Sequence, residues 1–163
     1  MKHGFSLILS DYPFERYFED YSISNETKGK VDGTDILILP YPYEDSKYYF
    51  AQEAVSFVKY CRSINNDIKT DILADYDKIE IRALHSFDIW MPIIWISSEI
   101  ILPIGVGLVA SYIFERMKGR EKEECTVKVT FIVKDDKKTK ELHYDGDAKA
   151  FKEAFEKIDI HKL

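Results

Sequence analysis

Apolar and polar positions change their period several times along this chain, and each change marks an element. The C-terminal third shows it most plainly. Val127, Val129, Phe131 and Val133 alternate with Lys128, Thr130 and Lys134, the period of a strand buried on one face. The run "DDKKT" turns the chain, and "KELHY" returns with Leu142 and Tyr144 on one side. Asp147 then stands as a helix cap before Ala148, Phe151, Phe155 and Ile158, a narrow apolar stripe at helical spacing. Glu153 and Lys157 form an i, i+4 pair on its wet side.

In the first half, "GFSLIL" reads as a short buried strand, and Phe14, Tyr17, Phe18 and Tyr21 follow at helical spacing after Pro13. "SNETKGKVDGTD" reads as a polar loop. "DILIL" is a continuous apolar run, which suits a strand buried on both faces. Pro40 and Pro42 end it, because neither carries an amide donor. Asp45 or Ser46 is expected to cap a helix with a core stripe of Phe50, Ala54, Phe57, Val58, Cys61 and Ile64. That helix would turn Gln52, Glu53, Lys59 and Arg62 outward. "IKTDILA" and "KIEIRAL" alternate as a hairpin joined near Asp75-Tyr76-Asp77.

The segment "IWMPIIWISSEIILPIGVGLVASYIF", from Ile89 to Phe114, carries one ionisable side chain, Glu99. Read as one long apolar helix over 89–117, broken at Pro103, it is long enough to cross a hydrocarbon core of about 20 residues. Trp90, Trp95 and Tyr112 sit near its ends, and Arg116, Lys118 and Arg120 follow, as interfacial anchors would. Against a span, an acidic residue at mid-membrane costs roughly 2.5–3.5 kcal/mol. Either orientation also conflicts with the basic flank or with the folded region before it. The alternative is a buried helix whose uncovered sides meet a second subunit, with Trp90, Trp95, Glu99 and Tyr112 at the interface. In such surroundings the pKa of Glu99 is expected to rise unless a cation or hydroxyl meets it.

Composition narrows the functions that remain. The 163 residues suit one compact domain, drawn from an N-terminal α/β region (1–87), the apolar segment (88–118) and a C-terminal ββα unit (119–163). A formal charge of −6 opposes a nucleic-acid role, because phosphate binding needs a concentrated cationic surface. Cys61 and Cys125 lie far apart and make no zinc site alone, so reduced thiols and a cytoplasmic setting are expected, with an inner-membrane location as the counterpart of the span. The start "MKHGFSLILSDYP" is too short in its apolar run for a secretory leader.

Candidate chemistry is sparse. The loop 40–46 follows one strand and precedes a helix, a place where ligands bind in open sheets. There Tyr41 and Tyr43 could stack on a ring, while Glu44 and Asp45 bind a cation or hydroxyl; a Pro-stiffened turn explains the same residues. Asp71, Asp75 and Asp77 lack the glycine and closing glutamate of a calcium loop. The four histidines are scattered, and Ser97-Ser98-Glu99 has no base beside it. No catalytic residue, metal ligand or cofactor motif emerges.

From Ile101 onward an apolar helix ends in "SYIFERMKGR", and after a polar linker comes "VKVTFIVKDDKKTKELHYDGDAKAFKEAFEKI". This order resembles the effector-associated constant components, small accessory proteins encoded beside bacterial conflict and anti-phage effectors. The resemblance covers a little over a third of the chain and carries over no catalytic residue. It implies an adaptor or sensor role. The expected fold is therefore α+β, a mixed sheet with packed helices, the long apolar helix and a C-terminal hairpin–helix unit. The expected function is a non-enzymatic interaction module whose partner is itself or an effector. A single-span membrane component and a small enzyme or ligand-binding protein using the loop 40–46 are the alternatives.

Overall fold

The computed structural model describes residues 4–10, 25–43, 47–73, 81–82, 89–135 and 138–156. The fold is α+β. Strands β1 (Gly4–Ser10), β2 (Ile36–Leu39), β5 (Thr70–Ile72), β7 (Ile89–Ile96), β8 (Thr126–Asp135) and β9 (Lys138–Asp147) form one mixed sheet in the order β1-β9-β8-β7-β2-β5. A smaller sheet joins β3 (Tyr41–Tyr43), β4 (Lys47–Ala51) and β6 (Ile81–Arg82) in that order. Pro42 thus falls on an edge strand, where its missing donor is tolerated.

Two β–α–β crossovers build the β8-β7-β2-β5 side of the large sheet. α2 (Ala54–Ile64) lies in the connection between β2 and its parallel neighbour β5, and α3 (Leu102–Met117) in that between β7 and its parallel neighbour β8. Both helices pack on the same face, which α4 (Phe151–Glu156) completes after a 3-10 turn at Ala148–Ala150. Ile36, Ile38, Ile94, Ile96, Val129, Phe131 and Leu142 form the floor of this core. Leu37, Leu39, Trp95 and Ile132 alternate with them and build a smaller cluster on the opposite face, with Val31 from α1 (Asn25–Val31).

The C-terminal hairpin and its helix stand as the periodicity indicates. β8 and β9 pair from Thr126↔Asp147 to Asp135↔Lys138, and the Asp147 carboxylate accepts from the Lys149 amide. "DILIL" is likewise a strand buried throughout, between β7 and β5. Five other expectations need correction. The segment 89–117 is not one helix: Ile89–Ile96 is the central strand β7, and a turn holding Ser97–Glu99 leads into α3. A bulge explains the misleading pattern. Between Trp90 and Ile93 the pairing with β8 shifts by one residue, so Ile89 and Met91 face the helical core before it and Ile94 and Ile96 after it. Burial on both faces, with the alternation reset at Pro92, leaves an unbroken apolar run.

Pro103 does not break α3. It stands in the first turn, where no donor is missed, and Gly119, at φ 82°, closes the far end. "NETKGKV" is helical rather than a loop. Among the described residues the expected hairpin does not form: β5 pairs with β2 while β6 pairs with β4. The helix expected after Asp45 begins only at Ala54, and residues 47–51 form β4. The helix expected over 14–21, and the aspartates Asp75 and Asp77, lie outside the described residues.

Candidate functional site

α3 carries two unlike faces. Leu102, Val106, Val109, Tyr112 and Ile113 are buried toward the sheet and α2. Gly105 allows the close approach to β7, since a Cβ there would stand 2.8 Å from Ile96 Cδ1. On the outer side, Ile104, Gly107, Ser111 and Phe114 follow at i, i+3, i+7 and i+10, one line along the helix, and Ile100 stands in the turn before it. Ile100 is 82% exposed, Ile104 38% and Phe114 66%. Scattered exposed apolar residues need no explanation, but an aligned set on one helix does.

A groove of about 790 Å³ runs beside this line. Ala110, Ser111, Phe114 and Met117 form one wall, and Phe151 and Lys152 the other. Phe151 belongs to the helical core and stacks on Phe131 at 6.4 Å. Lys118 stands 5.9 Å over the Phe114 ring, at the limit of a cation–π contact.

What sets the rotation of α3 is a polar cluster that the sequence reading missed. Glu53 is 4% exposed. Its Oε2 accepts from the Tyr112 hydroxyl at 2.6 Å, and its Oε1 from Arg116 Nε at 3.1 Å. Tyr112 and Arg116 are one turn apart on α3, so a single carboxylate at the start of α2 holds both. Phe57 and Tyr60 of α2 meet the Tyr112 ring edge-on at 5.5 Å each. Burial and the neighbouring carboxylate push the Tyr112 phenol well above its ordinary range. The helix register expected from the sequence turns Glu53 outward, and the structure buries it. The available signal was an acidic residue directly before "AVSF", a helix opening with no acidic residue in its first turn.

The residues expected at an interface are not brought together. Trp95 and Tyr112, each 4% exposed, lie in the monomer's core on opposite faces of the large sheet, so neither presents a surface to a partner. Trp90 is half-buried and packs on Tyr49 at 5.8 Å, joining the two sheets. Glu99 is met by Lys140 Nζ at 2.8 Å, the cation that its setting called for. Of the expected ligand loop, Tyr41 and Tyr43 belong to β3, opposite Tyr49 and Lys47, whereas Glu44 and Asp45 lie outside the described residues.

His143 does have partners. Its Nε2 lies 3.2 Å from Glu141 Oε2, and its Nδ1 lies 3.0 Å from Thr130 Oγ1. A carboxylate only accepts, so Nε2 carries the proton and a neutral ring takes the Thr130 hydrogen at Nδ1. Such a row can share a proton across β8 and β9, and it also satisfies cross-strand neighbours without any reaction. No group of three or more metal-ligating side chains occurs among the described residues. No described helix is long and apolar enough to cross a membrane; α3, at 16 residues, spans about 24 Å. No protein-family model, curated protein or solved structure matches this chain.

Proposed function

We propose that this protein is a non-enzymatic interaction module that works through the outer line of α3. The observation that carries the reading is that exposed Ile104 and Phe114 share the outer side of α3, with Phe114 on the wall of an open apolar groove. Covering such side chains with a partner removes apolar area from water at about 25 cal/mol per Å². The buried Glu53–Tyr112–Arg116 cluster supports it by fixing which face of α3 points outward. The order of helix, linker, hairpin and helix from Ile101 supports a place as a cytoplasmic accessory or sensor component beside a bacterial anti-phage effector.

The test places charge on the line with Ile104→Glu and Phe114→Glu and measures sedimentation together with phage protection in cells carrying the neighbouring genes. Loss of assembly or protection with an intact far-UV spectrum is the expected result. Unchanged sedimentation and protection would overturn the reading. A parallel His143→Ala variant addresses catalysis: protection should persist, and its complete loss with α3 assembly intact would favour an enzyme built on Thr130, His143 and Glu141.

A further inference from the structure

One edge of the large sheet is held by side chains. Among the described residues β5 is the outermost strand at that end. Ile36 donates to the Lys69 carbonyl, and Leu73 to that of Ile38, so Lys69, Asp71 and Leu73 turn their backbone groups toward β2. Thr70 and Ile72 alternate with them and turn theirs outward. An outward row of this kind is a template for another strand. Two of its groups are occupied. Arg62 Nε donates to the Thr70 carbonyl at 3.1 Å, and the Ile72 amide donates to Asp71 Oδ1 at 2.8 Å. Arg62 Nη2 closes the set on the same Asp71 oxygen at 3.3 Å.

We infer that Arg62 and Asp71 form a latch that withholds the β5 edge from strand addition, including addition of β5 from a second copy of the chain. The Thr70 carbonyl and the Ile72 amide stand on either side of Asp71, and a further strand, parallel or antiparallel, needs that acceptor and that donor free. The latch draws on two elements. Arg62 stands in the last turn of α2, so the crossover helix guards the strand that follows it. Stability is a poor account of the pair. Its side chains are 52% and 25% exposed, and an exposed ion pair contributes little to folding. What the geometry satisfies is backbone. Because both side chains reach water, they can swing off the edge without opening the core. The brevity of β5, at three residues, works in the same direction, since a short edge offers little to pair with. The latch operates whatever occupies the outer line of α3.

Sedimentation and amide hydrogen exchange of the full chain test the latch. Arg62→Ala combined with Asp71→Ala should associate with rising concentration beyond whatever the unsubstituted chain shows. In dilute solution the Ile72 amide of Asp71→Ala should exchange on the order of tenfold faster than in the parent, about the worth of one hydrogen bond. In the associated double variant the Thr70 and Ile72 amides should instead become protected, because the new strand covers them. Ile72→Pro separates edge pairing from a loosened fold. It removes an outward donor that β2 does not use, and an edge strand tolerates proline there. Added to the double variant, it should abolish the extra association while the urea midpoint shows the fold retained. Association no greater than that of the parent would overturn the inference. So would association that leaves the Thr70 and Ile72 amides exchanging freely, or that survives Ile72→Pro.

Discussion

The Tyr112 hydroxyl donates to Glu53 Oε2 at 2.6 Å across 59 residues of sequence, and Arg116 reaches the other oxygen from the next turn of α3. The partners differ in their access to water. The Glu53 side chain is 5% exposed and that of Arg116 45%, so removing the arginine leaves a buried charge without its cation. Removing the glutamate leaves a solvated guanidinium and the neutral hydroxyl of Tyr112, which costs less to orphan than a charge. Arg116→Met should therefore destabilise more than Glu53→Leu. The first should cost about 2–3 kcal/mol, below the roughly 3–5 kcal/mol of a fully buried pair because the guanidinium keeps much of its water. Tyr112→Phe should cost about 1–3 kcal/mol. Urea unfolding of the three variants checks the order, and a Glu53→Leu chain less stable than Arg116→Met would contradict this account of the cluster.

The same phenol gives a pH dependence. Burial, and then the hydrogen bond and charge of Glu53, raise the Tyr112 pKa above its unfolded value near 10. Burial, and then Asp147 and Asp145, raise that of Tyr144 in the same direction. A phenol is neutral when protonated, so the folded chain holds these protons after the unfolded chain has released them. Their contribution is complete below about pH 10 and is lost as pH climbs through the folded values. Unfolding free energy should fall above pH 10 by up to about 1.4 kcal/mol per pH unit for each tyrosine. Tyr112→Phe should make that decline shallower, and identical slopes in the two proteins would remove Tyr112 as its source.

Cys61 sits on the inner face of α2, 1% exposed. Burial pushes its thiol up to about 12, outweighing the lowering effect of its backbone hydrogen bond and of Thr70. Only the thiolate attacks, so the folded protein should react with an aromatic disulfide at pH 8 at least about 100-fold more slowly than the urea-unfolded chain. Stopped-flow absorbance in the two states provides the comparison. A fast native phase assigned to Cys61 by peptide mapping would mean that α2 opens readily from the sheet.

Period-two and period-3.6 patterns with one wet face were readable without coordinates. β8, β9 and the stripe of Ala148, Phe151 and Phe155 each had such a face. The run over 89–96 had none, because β7 lies between β2 and β8 with both faces covered, and the bulge at Met91–Pro92 erased what alternation remained. Its Ile and Trp content, with Ser97-Ser98 behind it, was the better guide than its length. β5 and β6 have alternating residues that suit a hairpin, yet their partners lie in two different sheets. Pairing across such separations is decided by packing rather than by local pattern. The Glu53 cluster escaped for the same reason: its ligands are two residues on another helix, and only the packing of α2 on α3 brings them together.

Glu99 supplies the last test of how the apolar segment is anchored. Lys140 Nζ meets its Oε1 at 2.8 Å, with side-chain exposures of 12% for the lysine and 26% for the glutamate. The ammonium is the more enclosed partner, so the identity of the group facing it decides the cost of a substitution. Glu99→Gln keeps an acceptor for Lys140 and should cost about 1 kcal/mol, the difference between a charge-assisted and a neutral acceptor. Glu99→Leu faces an enclosed cation with hydrocarbon and should cost more, about 2–3 kcal/mol. Pairing Glu99→Leu with Lys140→Met removes both charges and should recover most of that loss, because no enclosed charge then stays uncompensated. Thermal unfolding of the single and double variants measures the recovery. Additive losses in the double variant would show that the two side chains stabilise the turn into α3 independently rather than as a pair.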